Sequence, residues 1–120
     1  MDAPTDIRLH AKSRTLEIVF DGREPLVLPC EYLRVHSPSA EVQGHGPGQE
    51  TLQVGKRGVG IEALEPVGNY ALKIRFDDGH DTGLYTWDYL HELGTRREEK
   101  WAAYLERLRA AGHPHPELDA

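Results

Sequence analysis

The sequence predicts a small α+β domain in which a β-rich antiparallel meander and hairpin sheet is covered by helices, with a long Gly/Pro loop between its two halves. Three observations predict it. Short runs of alternating apolar residues flank the loop, tight-turn residues separate those runs, and the C-terminal segment carries apolar residues at helical spacing. At 120 residues the chain falls in the usual range of one domain. Residues 1–112 are assigned to that domain, and residues 113–120, polar and broken by prolines, to a flexible tail.

The first half reads as three short strands: Ile7 to Leu9, Leu16 to Phe20 with Leu16, Ile18 and Phe20 on one face, and Leu26 to Leu28. Lys12-Ser13-Arg14 and Asp21-Gly22 supply the turns, and connections this short make antiparallel neighbours. Pro29 ends the third strand. Lacking the N–H that a helix leaves unpaired in its first turn, it suits the start of a short helix carrying Tyr32, Leu33 and Arg34. Between His36 and Gly60 periodicity disappears, and six glycines with Pro38 and Pro47 leave a 25-residue irregular stretch. Loops of that length inside a domain are often functional.

Order returns at Ile61 to Pro66. Gly68-Asn69 is spaced as a two-residue turn into Tyr70, Leu72, Ile74 and Phe76, which alternate with Ala71, Lys73 and Arg75 as in a half-buried hairpin. A second turn at Asp77-Asp78-Gly79 leads to a short strand near Gly83 to Tyr85, after which Thr86 can cap a helix carrying Trp87, Leu90 and Leu93. Thr95 and Glu98 are spaced as a T-x-x-E capping box, and Trp101, Tyr104, Leu105 and Leu108 recur at helical spacing until Gly112 and Pro114. That stripe either packs on its own domain or meets a partner, and a homodimer through Trp101, Leu105 and Leu108 stands beside the monomer as an alternative.

Composition removes several function classes. A formal net charge of −6 opposes generic binding to a phosphate backbone. Cys30 is the only cysteine, so one chain can assemble neither an internal disulfide nor a thiolate-rich metal site. Met1 to Arg8 is polar and no apolar run reaches the length of a membrane span, so a cytoplasmic location is expected.

The loop motif Gly44-His45-Gly46-Pro47-Gly48 is not G-x-G-x-x-G, and Lys56 does not follow a G-x-x-x-x-G spacing, so neither nucleotide fingerprint is met. Glycine-exposed backbone N–H groups together with Arg34, Lys56 and Arg57 form a candidate anion site, against a flexible loop with solvated charges. Arg34, His45, Lys56 and Arg57 are the candidate ligand-binding residues. Seven histidines raise the question of a metal, but their spacing does not support one; His36, His45 and His80 could converge in three dimensions, which nothing in the sequence demonstrates, and loop histidines in water are expected instead. His115-Pro116-Glu117 has an H-x-E pattern, in the tail. Cys30 at a helix start is either an activated thiolate or a buried structural thiol, the second being expected because no base is spaced to serve it. Asp77, Asp78 and Asp81 around Gly79 are first of all turn chemistry.

Pro29 to Arg34 (PCEYLR), the loop SPSAEVQGHGPGQ from Ser37 to Gln49, EPVGNYALKIRFDDGHDTGLY from Glu65 to Tyr85, and Trp87-Asp88-Tyr89-Leu90 together resemble the family of domains similar to the N-terminal domain of gamma-butyrobetaine hydroxylase. The resemblance covers residues 7 to 94. It implies a zinc held by three cysteines after an L-R-D-N segment and one histidine in a D-G-H turn. His80 matches that turn histidine and is the candidate metal position, but Ser37, Ser39 and Val42 stand where the cysteines would fall, so loss of the zinc site is expected. The catalytic iron and 2-oxoglutarate domain of the hydroxylase has no counterpart in the sequence, so its chemistry does not transfer. Related domains are attached to ATPases of the type implicated in iron–sulfur cluster assembly, and stand-alone members are known from bacteria, the kind this chain resembles. The expectation is a non-catalytic accessory domain, without a cofactor, that binds a protein partner or small ligand through the 36–60 loop. The alternative is an accessory protein handling metal or iron–sulfur clusters.

Overall fold

A computed structural model describes residues 1–44 and 48–118. The chain forms β1 (Asp6–His10), β2 (Thr15–Val19), β3 (Leu26–Pro29), α1 (Cys30–Val35), α2 (Ala40–Gln43), β4 (Ile61–Val67), β5 (Ala71–Phe76), β6 (Leu84–Thr86), α3 (Trp87–Thr95) and α4 (Arg97–Ala110). The strands divide into two antiparallel sheets, β1-β2-β3 and β4-β5-β6, where the sequence pointed to a single one. The long stretch after His36 separates the two meanders, so each closes on itself.

In the first sheet Leu16 pairs with Leu28 and Ile18 with Leu26, and Leu16, Ile18 and Leu28 are fully buried. In the second, Val67 pairs with Ala71, so the hairpin loop is Gly68-Asn69-Tyr70, one residue longer than the spacing suggested. Gly68 takes a left-handed φ of 54°, which glycine tolerates without a Cβ penalty. Tyr70 is thereby released to solvent, while Leu72, Ile74 and Phe76 keep the alternation and enter the core. One cluster joins these residues to Leu16, Ile18 and Leu28 from the first sheet and to Leu90 and Leu93 from α3. Two buried phenols tie the layers together: Tyr32 donates to the Leu93 carbonyl at 2.7 Å and Tyr85 to the Leu33 carbonyl at 2.6 Å. A buried hydroxyl needs such an acceptor to offset its lost hydration.

Pro29 ends β3 and precedes α1, as its fixed φ suits. Thr86 caps α3, its Oγ1 accepting the Tyr89 N–H at 3.2 Å. The capping box at Thr95 does not form. Thr95 is the last residue of α3, and its hydroxyl donates to the His91 carbonyl at 2.9 Å, satisfying an acceptor at a C-terminus where the spacing suggested an N-cap. Arg96 links the two helices, and α4 begins without a side-chain cap.

The stripe of α4 packs on its own domain: Tyr104 and Leu108 are buried with Val35, and Trp101 and Leu105 are half-buried alongside Leu52 and Leu118. The described part of the segment after Gly112 folds back and does not trail as a tail. His115 is 5% exposed, its Nε2 lies 3.0 Å from a Glu31 carboxylate oxygen, and the Trp101 indole N–H reaches both Glu117 oxygens at 3.1 Å. Proline and polarity suggested solvent, but these polar groups find their partners on α1 and α4. Among the described residues, no helix is long and apolar enough to cross a membrane.

Candidate functional site

The end of α1, the irregular stretch and the Asp77-Asp78-Gly79-His80 turn meet at one place. Arg34 lies in the last turn of α1 with its side chain 8% exposed; its Nε donates to Asp78 Oδ2 at 2.9 Å and its Nη1 to Gln53 Oε1 at 3.1 Å. Lys56 Nζ reaches the same Asp78 oxygen at 2.8 Å. Asp78 Oδ1 accepts the His80 N–H at 3.2 Å, the side-chain-to-backbone bond two residues on that aspartate favours in turns. Burial opposes ionisation of Asp78, but hydrogen bonds from Lys56, the His80 N–H and Arg34 outweigh it and hold the carboxyl down at about 2.

Arg34 and Lys56 therefore do converge, but on a carboxylate of the chain itself. The anion they bind is Asp78, and they fasten the loop to the turn. Arg57 stands apart, exposed, with no ion pair among the described residues. His45 lies outside the described residues.

Beside this triad lies a second layer. Ser37 is fully buried, with Ser39 and His80 nearly so. Ser37 Oγ is 2.8 Å from His80 Nε2 and accepts the Ser39 N–H at 3.3 Å, while Ser39 Oγ is 2.7 Å from Thr82 Oγ1. On the other side of the ring, His80 Nδ1 is 3.4 Å from a carboxylate oxygen of Glu41. Burial, followed by the Arg34 charge, lowers the His80 pKa below its usual value. With a carboxylate at Nδ1, the neutral ring carries its proton there and accepts the Ser37 hydroxyl at Nε2.

Serine, histidine and acid in this order match the roles of a nucleophilic triad. The space a substrate would need is filled, however. A Cβ placed on Gly83 would lie 2.5 Å from Ser37 Oγ, so the backbone of residue 83 packs against that oxygen, and Ser37 is fully buried in this structure. The arrangement is a clasp between the start of the loop and the D-G-H turn.

It also answers the zinc expectation. Positions 37, 39 and 80 meet, as the resemblance implies. Neutral hydroxyls do not replace thiolates on zinc, and the His80 nitrogen facing them is engaged by Ser37. Among the described residues no group of three or more His, Cys, Asp or Glu side chains could hold a metal ion. The residues present do not fit zinc. Sequence reasoning noticed Ser37 and Ser39 only as missing cysteines and passed over Thr82, Gln53 and Glu41. The available signal was the pairing of small hydroxyl residues with a D-G-H turn, which suits hydrogen bonding as well as metal.

The remaining candidates fall elsewhere. His36 turns away toward Tyr32 and Tyr104, at ring-centroid distances of 4.6 and 6.3 Å. Cys30 is 1% exposed, and burial pushes its thiol up to about 11, so its place at a helix start does not make it a thiolate at neutral pH. Ellman's reagent at pH 7.5 is expected to label Cys30 only in denaturant; labelling of the native protein at the rate of a free peptide thiol would contradict this placement.

Fold and site together define a two-sheet α+β domain whose α1 end, loop and D-D-G-H turn are locked by one charged triad and one hydroxyl–imidazole clasp. Residues 7–91 match the model of the family described as "Gamma-butyrobetaine hydroxylase-like, N-terminal", and the chain belongs to that family. Two structures solved in solution by NMR are similar to it. One is 56% identical, with 94% of this chain and 89% of that chain covered and a TM-score of 0.82. The other is 50% identical, with 96% and 86% covered and a TM-score of 0.82. A crystal structure of a protein of unknown function from Acidithiobacillus ferrooxidans ATCC 23270, described as belonging to the DUF971 family, is 35% identical over 76% of this chain and 91% of that chain, with a TM-score of 0.64. No curated protein matches.

Proposed function

We propose that this domain is a non-catalytic accessory module, cytoplasmic, that binds a protein partner through the outer edge of the 36–60 loop. The observation that carries the reading is the division of labour within the loop. Its inner side is fastened by Lys56 and Ser37 to the D-D-G-H turn, by Ser39 to Thr82 and by Gln53 to Arg34 of α1, while Val54, 41% exposed, and Arg57 face solvent. Loop residues held in place before binding lose less conformational entropy when a partner docks. An exposed guanidinium with no ion pair among the described residues offers the arginine chemistry enriched at interface hot spots, and Val54 adds apolar area to the same loop. Arg34 and Lys56 then act as anchors of the surface, and the contact residues are Val54 and Arg57. The α4 stripe is covered by Val35, Leu52 and Leu118 and is not the surface proposed.

The test is affinity capture with crosslinking from the native cell, comparing wild type with the double variant Val54→Asp, Arg57→Glu. Both positions are exposed, so the variant is expected to fold with unchanged thermal stability and to lose the principal crosslinked protein. An unchanged set of crosslinked proteins overturns the reading.

A further inference from the structure

On the opposite side of the same loop, between the end of α1, α2 and the middle of α4, lies an open cleft of about 190 Å³. That space suits a small ion or an ion-bearing group. Val42 and Ala103 give it apolar lining, and His36, Lys100 and Arg107 give it three basic groups from two separate elements. Glu50 is its one acidic lining residue and is exposed.

The hydrogen-bonding state of these groups is uneven. Arg97 donates to the Val27 carbonyl at 2.8 Å, Lys100 pairs with Glu92 at 3.3 Å, and Arg109 pairs with Glu106. Arg107 alone of the α4 cations has no such partner among the described residues. His36 Nδ1 lies 2.9 Å from the Tyr32 carbonyl oxygen and donates its proton there, which leaves Nε2 as the ring nitrogen without a hydrogen-bond partner among the described residues. Thr51 is a neutral polar residue of the lining.

We infer that this cleft is a binding site for a small oxyanion, the phosphoryl or carboxylate group of a metabolite-sized ligand. A guanidinium without a partner presents paired N–H donors that match two oxygens of such a group, and Lys100 adds a point charge. His36 supplies the responsive element. Burial first, then repulsion from Lys100 and Arg107, holds its pKa below the usual value. An anion beside Nε2 offsets both and draws a proton onto the ring, so binding and protonation of His36 are coupled. The inference does not rest on the protein-partner reading, because Val54 and Arg57 do not line the cleft.

The experiment is an NMR titration of the His36 ring resonances at constant ionic strength, with inorganic phosphate in one arm and succinate in the other. A saturable shift with at least one of the two is expected, and the stronger arm identifies the headgroup. Arg107→Glu, an exposed position, should weaken apparent affinity about tenfold by removing a charge-assisted contact. Arg109→Glu, two residues on and outside the cleft, should change it less than about twofold, since exposed charges act weakly at a distance. Non-saturating shifts in both arms overturn the site. So does equal weakening by Arg109→Glu, which would place the effect in the general field of α4. The Val54→Asp, Arg57→Glu variant should retain the shift, so failure of one proposal leaves the other legible.

Discussion

Replacing Asp78 with asparagine is expected to lower stability by about 3 kcal/mol, the low end of what removing one partner of a buried ion pair costs. The substitution keeps the shape of the turn and the acceptor for the His80 N–H but removes the charge from a carboxylate that two cations share, at 2.9 Å to Arg34 and 2.8 Å to Lys56. Lys56 can turn to water. Arg34 cannot, because its side chain is 8% exposed, so it remains as an uncompensated buried guanidinium. Asp78 is itself about a quarter exposed, which is why the low end applies. For a domain of this size the loss corresponds to roughly 10 °C in Tm. Urea unfolding of both proteins at pH 7 measures it, and a loss below about 1 kcal/mol would refute the role given to Asp78.

The same carboxylate gives a pH signature. Its folded value of about 2 lies below the ordinary 3.8, so the unfolded chain binds a proton before the folded one does. Its contribution is complete above about pH 4 and lost as pH falls toward 2, amounting to about 2 kcal/mol. Wild type should therefore lose stability more steeply than Asp78→Asn between pH 4 and 2. His36 is held below its usual value and also weakens the fold on acidification, but Asp78 is not among the charges that act on it, so it cancels in the difference. His80 does not cancel fully, because the Asp78 charge raises its pKa, and the comparison is therefore read below about pH 4.

Most of the secondary structure was legible because it is encoded locally. Alternation of Leu16 with Ile18, and of Leu72 with Ile74 and Phe76, fixes which face of each strand is buried, and Thr86 announces a helix through its own side chain. The division into two sheets was not legible, since each meander is consistent with either arrangement until the core assembles. Thr95-x-x-Glu98 misled for a related reason. A hydroxyl near a helix end serves a carbonyl as readily as an N–H, and the choice depends on whether the preceding helix has stopped. The candidate site was half legible. Arg34, Lys56 and His80 do meet in the fold, but that the anion is Asp78 rests on contacts 44 and 22 residues apart in sequence, which no local pattern records.

Gly83→Ala should cost about 2–3 kcal/mol although glycine there has no left-handed φ to protect, because the new methyl collides with the clasp. Its carbon would lie 2.5 Å from Ser37 Oγ, with Pro38 Cδ and Tyr85 Cε1 at 3.3 Å. The hydroxyl can escape only by rotating away from His80, and it is fully buried, so the movement leaves His80 Nε2 and the Ser39 N–H without their partner. Each such buried group costs about 1–3 kcal/mol, against a gain of roughly 0.5 kcal/mol from restricting the unfolded chain. Ser37→Ala alone should cost about 2 kcal/mol, the low end for the same two groups, without any collision. The double variant decides the cause: once the hydroxyl is gone only the tight contacts at 3.3 Å to Pro38 and Tyr85 remain, so Ser37→Ala with Gly83→Ala should be less destabilised than the sum of the two single variants. The His80 ring resonances should move alike in all three variants. Additivity within about 0.5 kcal/mol would mean that Gly83 is needed for some reason other than the serine–histidine clasp.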